Sequence, residues 1–210
     1  MDIVFFLFDR ITALDAIGPY EVLARLPGAR VTFAAPARGV VTTDNGMLGL
    51  EARASIDEVT RADVLVVPGG FGTRLLEKDA RVLDWVRAID ATTRVTASVC
   101  TGALVLAAAG LLRGKRANTH WAVRERLAEH GAIPTAGRTV RDGKYATAAG
   151  VSAGIDLALA LAIELAGIEV AQAIQLGIEY DPQPPFDSGS PTKAPAHLVE
   201  LLKESSRHWK

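Results

Sequence analysis

Cys100 is the single cysteine of a 210-residue chain, and it stands in "TRVTASVCTGALVLAAAGLL" (93–112). There an apolar run meets a Thr-Gly pair and an alanine-rich segment. A thiol placed directly after a buried strand and ahead of a helix lies beside unpaired backbone N–H groups and the positive end of a helix dipole. Those surroundings favour thiolate and draw a cysteine's pKa below its free value of about 8.5. The competing reading is a packed core thiol, the commoner fate of a lone cysteine.

A second turn with chemical potential is "VPGGFG" (67–72). Gly69-Gly70 bends the backbone sharply and leaves an N–H free to face a site. With the Thr101 N–H it would make the two halves of an oxyanion hole. The simpler reading is a plain strand-to-helix turn. It is not a dinucleotide fingerprint, because Leu75 stands where the third glycine belongs.

Asp15, in "TALDAIGPYEVL", follows the first apolar run. Thr12-x-x-Asp15 reads either as a capping box or as a carboxyl group at the sheet edge of Cys100, available as acid or base. "GVSAG" (150–154) matches the G-x-S-x-G nucleophile elbow, with Asp156 and His197 after it. Asp156 falls in the same helix, however, and small residues at a tight junction account for the match, so serine catalysis is disfavoured. His120 in "ANTHW", beside Trp121 at a predicted helix start, has the setting for a Cys–His dyad. His130, His197 and His208 read as surface residues. No two histidines have metal-ligand spacing, so no metal is expected.

These residues must be held by a scaffold. Short apolar runs at 3–8, 30–35, 63–68 and 94–99 suit strands buried on both faces, as parallel sheets require. Segments of helical spacing lie between and after them, at 14–26, 79–90, 102–112 and 121–131. The alternation predicts an α/β protein with a mostly parallel sheet sandwiched by helices. A hairpin is predicted over 138–149 around Asp142-Gly143, then a mostly apolar buried helix over 150–167. The stretch 179–198 holds five of the ten prolines and reads as an ordered arm at about 179–195, anchored by Tyr180 and Phe186, with a C-terminal helix after it. The whole chain, 1–210, reads as one domain, long enough to bury a core without disulfide or metal.

Lys plus Arg is 23 and Asp plus Glu is 24, a net charge of −1, which gives no global electrostatic reason to bind nucleic acid or an anionic membrane. The apolar start is too short for a signal peptide. "LALALAIELAGI" is broken by Glu164 and falls short of the roughly 20 residues that span a bilayer. A soluble, cytoplasmic protein is expected, and one cysteine fits a reducing compartment.

"SVCTGALVLAAAGLL" after "VLVVPGGFGTR", with "LDAIGPYEVL" near the start, resembles the PfpI/ThiJ superfamily over essentially the whole chain. The fold so implied is flavodoxin-like, related to class I glutamine amidotransferases, with a nucleophile elbow at Cys100. "ANTHWA", "GVSAGIDLALAL" and "AIQLGIEYDPQPPFDSGSP" are most similar to its isonitrile hydratase branch. That resemblance implies Cys100 as nucleophile, Asp15 facing it as acid, and Thr101 as a third catalytic residue. Gly70, Thr101 and His120 are expected to bind substrate or oxyanion, and Trp121 and Tyr20 read either as lining or as core residues. No cofactor is implied; the expected partners are a small-molecule isonitrile and a second copy in a homodimer. The protease-like branch carries His after its cysteine and the glyoxalase-like branch Glu at the acidic position. Thr101 and Asp15 depart from both. The alternatives are a ligand-sensing relative of helix-turn-helix regulators, which is expected to need a partner protein because no helix-turn-helix segment is read after the arm, a stress or redox protein, and a hydrolase of unknown substrate.

Overall fold

In the computed structural model the described residues are 1–208, with side chains through Glu204. Strand β1 (Asp2–Phe6) leads to helix α1 (Ala13–Leu23) and strand β2 (Arg30–Ala35). An antiparallel hairpin, β3 (Gly39–Thr42) and β4 (Gly49–Ala52), and the two-residue strand β5 (Ala54–Ser55) come next. Then follow β6 (Val64–Val67), the single turn α2 (Thr73–Leu76), α3 (Ala80–Asp90), β7 (Val95–Ser98) and α4 (Gly102–Ala108). Short strands β8 (Arg116–Ala117) and β9 (Ile133–Pro134) flank a 3-10 segment, Trp121–His130, kinked at Val123. The hairpin β10 (Thr139–Asp142) and β11 (Tyr145–Ala148) precedes α5 (Ala153–Ala166), α6 (Ile168–Gly177) and α7 (Ala196–His208).

The main sheet has seven strands in the order β10-β11-β7-β6-β1-β2-β5. All its pairings are parallel except β10 with β11, whose register closes on Asp142 opposite Tyr145. The α/β sandwich with a mostly parallel sheet is therefore the fold. Strands β1, β6 and β7 are buried almost end to end, as continuous apolar runs between two helical layers require. Successive side chains alternate between the layers. Ile3 and Phe5 pack with Val22, Leu157 and Ile174 of α1, α5 and α6; Val4 and Phe6 pack on the opposite face with the core that holds Val82 and Trp85 of α3 and Leu104 of α4.

Several predicted elements shift. The segment 121–131 is a kinked 3-10 run rather than a regular helix, and α4 stops at Ala108, short of 112. Helix α6 lies beyond the predicted boundary at Gly167, whose φ of 90° breaks the chain direction between α5 and α6. The arm touches down through Tyr180, whose hydroxyl donates to Asp156 Oδ1 at 3.1 Å, whereas Phe186 stands 76% exposed and anchors nothing. His197 is exposed and His130 half-buried; the side chain of His208 lies outside the described residues. Among the described residues no helix is long and apolar enough to cross a membrane.

Candidate active site

The chain reverses its progress across the sheet between β1 and β6, and the carboxyl ends of strands at such a switch point are where open α/β sheets bind ligands. Three loops meet there: the β1–α1 loop with Asp15 just inside α1, the Gly69-Gly70 turn after β6, and the β7–α4 elbow with Cys100. Ile11 bridges both Gly70 and Thr43, and the Thr12 N–H donates to Gly69 O at 2.9 Å.

Cys100 has φ +54°, a left-handed conformation that costs a β-carbon residue roughly 1–3 kcal/mol and persists only when its surroundings enforce it. They do so here. Its N–H donates to Ala149 O beyond β11 at 3.0 Å, and its carbonyl accepts from Thr119 Oγ1 at 2.7 Å. The helix behind it must come close to β6: a β-carbon on Gly102 would stand 2.0 Å from Val67 O, so only glycine fits. Likewise a β-carbon on Gly69 would stand 2.5 Å from Thr101 N and 2.7 Å from Asp15 Oδ2.

Asp15 is completely buried. Its Oδ2 accepts from Gly69 N–H at 2.8 Å, while Oδ1 has no hydrogen-bond partner of its own. Burial pushes its pKa up to about 7, against the opposing pull of the Gly69 N–H and of the Cys100 thiol that faces it; the nearby charge of Asp44 adds to the rise. The expected capping box does not form, because Thr12 Oγ1 donates to Asp44 Oδ2 at 2.6 Å and makes no cap bond. The carboxyl thus faces Cys100 instead of capping α1.

The thiol departs from expectation in the opposite sense. Burial, then the charge of Asp15, holds Cys100 well above the ordinary cysteine range, although the N–H groups of Thr101 and Val151 both donate to its sulfur. The helix-start donors are present as the sequence implied, but desolvation outweighs them. Asp15 and Cys100 consequently titrate as a pair, which loses its first proton at about pH 7 and holds one proton above that.

The free Gly70 donor is not found. Gly70 N–H donates to Thr101 Oγ1 at 2.9 Å, and that hydroxyl donates back to Gly70 O at 3.2 Å. Thr101 therefore clamps the elbow to the neighbouring turn, and Gly70 contributes wall. The N–H groups at the sulfur come from Thr101, as expected, and from Val151 in place of Gly70.

Cys100, Thr101, Gly70 and His120 line one cavity of about 230 Å³, together with Phe71 and Asp44. No hydrogen bond joins His120 to Cys100. Its Nδ1 instead accepts from Ala122 N–H at 3.3 Å, and burial together with the charge of Arg124 keeps the imidazole below its usual pKa and neutral. Trp121 faces an adjoining groove, and Tyr20 packs with Phe5 and Phe33 near the β2 edge, away from the thiol. The serine elbow fails as a triad. Ser152 starts α5 in ordinary helical backbone, Asp156 pairs with Arg138, and His197 lies on α7. Thr12, Asp44, Thr119 and Val151 are the site residues the sequence did not single out. Among the described residues no three His, Cys, Asp or Glu side chains gather as a metal site.

Residues 1–164 match the DJ-1/PfpI family. The chain belongs to that family. It is 48% identical over 204 residues to the isonitrile hydratase of Pseudomonas putida, covering 97% of this chain and 89% of that one. Similarity to the HTH-type transcriptional regulator CdhR of Pseudomonas aeruginosa is 32% over 137 residues, 63% of this chain and 40% of the regulator. Among solved structures, a ThiJ/PfpI family protein from Pseudomonas syringae superposes with a TM-score of 0.96 at 38% identity, covering 99% of this chain and 86% of that one. Within the family, then, the similarity to the hydratase spans almost the full length, and that to the regulator does not.

Proposed function

We propose that this protein is an isonitrile hydratase that adds water to R–N≡C and releases an N-substituted formamide, with Cys100 as nucleophile and Asp15 as acid. Near-full-length similarity to a protein of that activity supports the reaction. The observation that carries the mechanism is the buried carboxyl with one unpartnered oxygen, raised to about 7, facing a thiol on a strained elbow.

The terminal carbon of an isonitrile accepts a nucleophile and a proton on the same atom. In the reactive form of the pair, the proton sits on Asp15 and the charge on sulfur, held by the Thr101 and Val151 N–H groups. Sulfur bonds to carbon while Asp15 delivers its proton there, giving the thioimidate R–N=CH–S–Cys100. Asp15, now a carboxylate, takes a proton from water as the hydroxyl adds to the C=N carbon and passes it to nitrogen, and the hydroxyl proton returns to Asp15 as the adduct breaks down. Collapse expels the sulfur, leaving R–NH–CHO and restoring the one-proton pair. Thr101 fixes the elbow, and neutral His120 forms part of the wall, where its ring N–H is a donor for substrate nitrogen or water.

Formamide production from cyclohexyl isocyanide tests the reading, compared among wild type, Cys100→Ala and Asp15→Asn. Turnover in wild type that is lost in both variants supports the reaction and both roles. Absence of turnover in wild type overturns it and moves the chain to the ligand-sensing reading that similarity to a regulator favours. The protein is further proposed to act in the cytoplasm as a homodimer, in keeping with its lone thiol and its family; light scattering at twice the chain mass checks the assembly.

A further inference from the structure

A second cavity, of about 550 Å³, adjoins the catalytic one and shares His120 and Val151 with it. A substrate held with its isonitrile carbon at Cys100 therefore extends its R group past His120 into this groove. One wall is Trp121, and arm residues around Thr192 close the other side. Its charge is unbalanced. Arg124 and Arg138 both line it, and among the described residues no carboxylate side chain does.

The two arginines differ. Arg138 is neutralised by an ion pair with Asp156. Arg124 has no acidic partner among the described residues; its one hydrogen bond runs from Nε to Asn118 Oδ1 at 2.8 Å. That acceptor is itself fixed: Asn118 is fully buried, its amide donates to Gly137 O, and its backbone N–H donates to Thr147 Oγ1 at 2.8 Å. The asparagine thus holds the guanidinium by one edge and leaves its paired Nη groups without an acceptor among the described residues. A half-buried guanidinium gripped by a neutral partner is suited to receive a planar anion on its remaining donors.

We propose that the groove is a carboxylate subsite and that the preferred isonitriles carry an acidic group, which Arg124 binds while Trp121 packs against the aliphatic spacer. This rests on the hydratase reading and names the substrate class for it. A neutral isonitrile fills only the inner cavity and leaves Arg124 hydrated, so it forgoes the charge-assisted contact.

The test compares kcat/KM for ω-isocyanoalkanoates with spacers of two to five methylenes, their methyl esters, and cyclohexyl isocyanide, in wild type, Arg124→Gln and Arg124→Lys. The expected result is an acid preferred over its ester by roughly ten- to a hundredfold in wild type, expressed in KM, as a hydrogen bond to a charged group supplies. The preference should collapse in Arg124→Gln and survive in part in Arg124→Lys. Equal rates for acid and ester in wild type, with cyclohexyl isocyanide turned over, overturn the subsite and leave the hydratase reading standing. A preference that persists in Arg124→Gln also overturns it. Turnover of no isonitrile at all overturns the hydratase reading and this inference with it. The acid-to-ester ratio in wild type needs no variant, so misfolding of Arg124→Gln does not remove the test.

Discussion

Two strand-to-helix junctions lie side by side on adjacent parallel strands, β7 into α4 and β11 into α5. Cys100-Thr101-Gly102 and Ser152-Ala153-Gly154 look like alternative elbows, and the second fits a better-known motif. The backbone separates them. Cys100 is left-handed at φ +54°, with its side chain buried opposite a carboxyl; Ser152 sits at φ −66°, ψ −18°, and its hydroxyl accepts from Arg138 Nη2 at 3.3 Å. The serine junction serves the cysteine one: Ala149 O and Val151 N–H, both from it, hold the Cys100 backbone and sulfur. What sets the cysteine junction apart is its left-handed backbone and the groups it borrows from the neighbouring strand.

Substitutions that break the contrast should have effects in a clear order. Cys100→Ala should abolish formamide production while far-UV circular dichroism remains native. Next, Asp15→Asn should lower kcat by about 10²- to 10⁴-fold, the span of general acid–base catalysis.

The pH profile sharpens the same point. In wild type, kcat/KM should rise as pH passes through about 7, where the fully protonated pair loses its first proton, and fall in the alkaline range as the second leaves. Asp15→Asn should lack the lower limb. Stability follows the folded-state pKa of Asp15. Because it lies above the unfolded value of 3.8, the contribution of its bound proton is full below about 4 and is lost as pH rises through about 7. Chemical denaturation should show Asp15→Asn gaining on wild type across that window, by at most about 4 kcal/mol.

The matched glycines test packing. The β-carbon of Gly102→Ala would meet the Val67 carbonyl at 2.0 Å, whereas that of Gly154→Ala would meet Val99 Cγ2 at 3.1 Å and Pro19 side-chain atoms at 3.2 Å. Thermal unfolding should register about 3 kcal/mol or more for the first and about 1 kcal/mol for the second, because a carbonyl behind a strand cannot move as a side chain can. The smallest effect belongs to Ser152→Ala, which should keep cyclohexyl isocyanide turnover within about twofold and stability within about 0.5 kcal/mol.

Much of the scaffold was legible because parallel strands buried on both faces leave uninterrupted apolar runs. The β3–β4 hairpin was not read, since its strands are largely exposed and carry no such run. Its Asn45-Gly46 turn was the available signal. Helix α6 hid behind a glycine that looked like a terminus. Of the site, Cys100, Thr101 and the Gly69-Gly70 turn stood out by their place at strand ends. Asp44 and Thr119 lie 56 and 19 positions from Cys100 and reach it only through the fold.

By itself the sequence determined the alternating elements, the lone thiol at a strand end and the family, because burial periodicity and the residues of an elbow are local properties. Tertiary structure decided which junction carries the left-handed backbone, that Asp15 faces the sulfur instead of capping its own helix, and that desolvation outweighs the helix-start donors. Each of those outcomes depends on which distant groups are packed together away from water, and no local spacing records that.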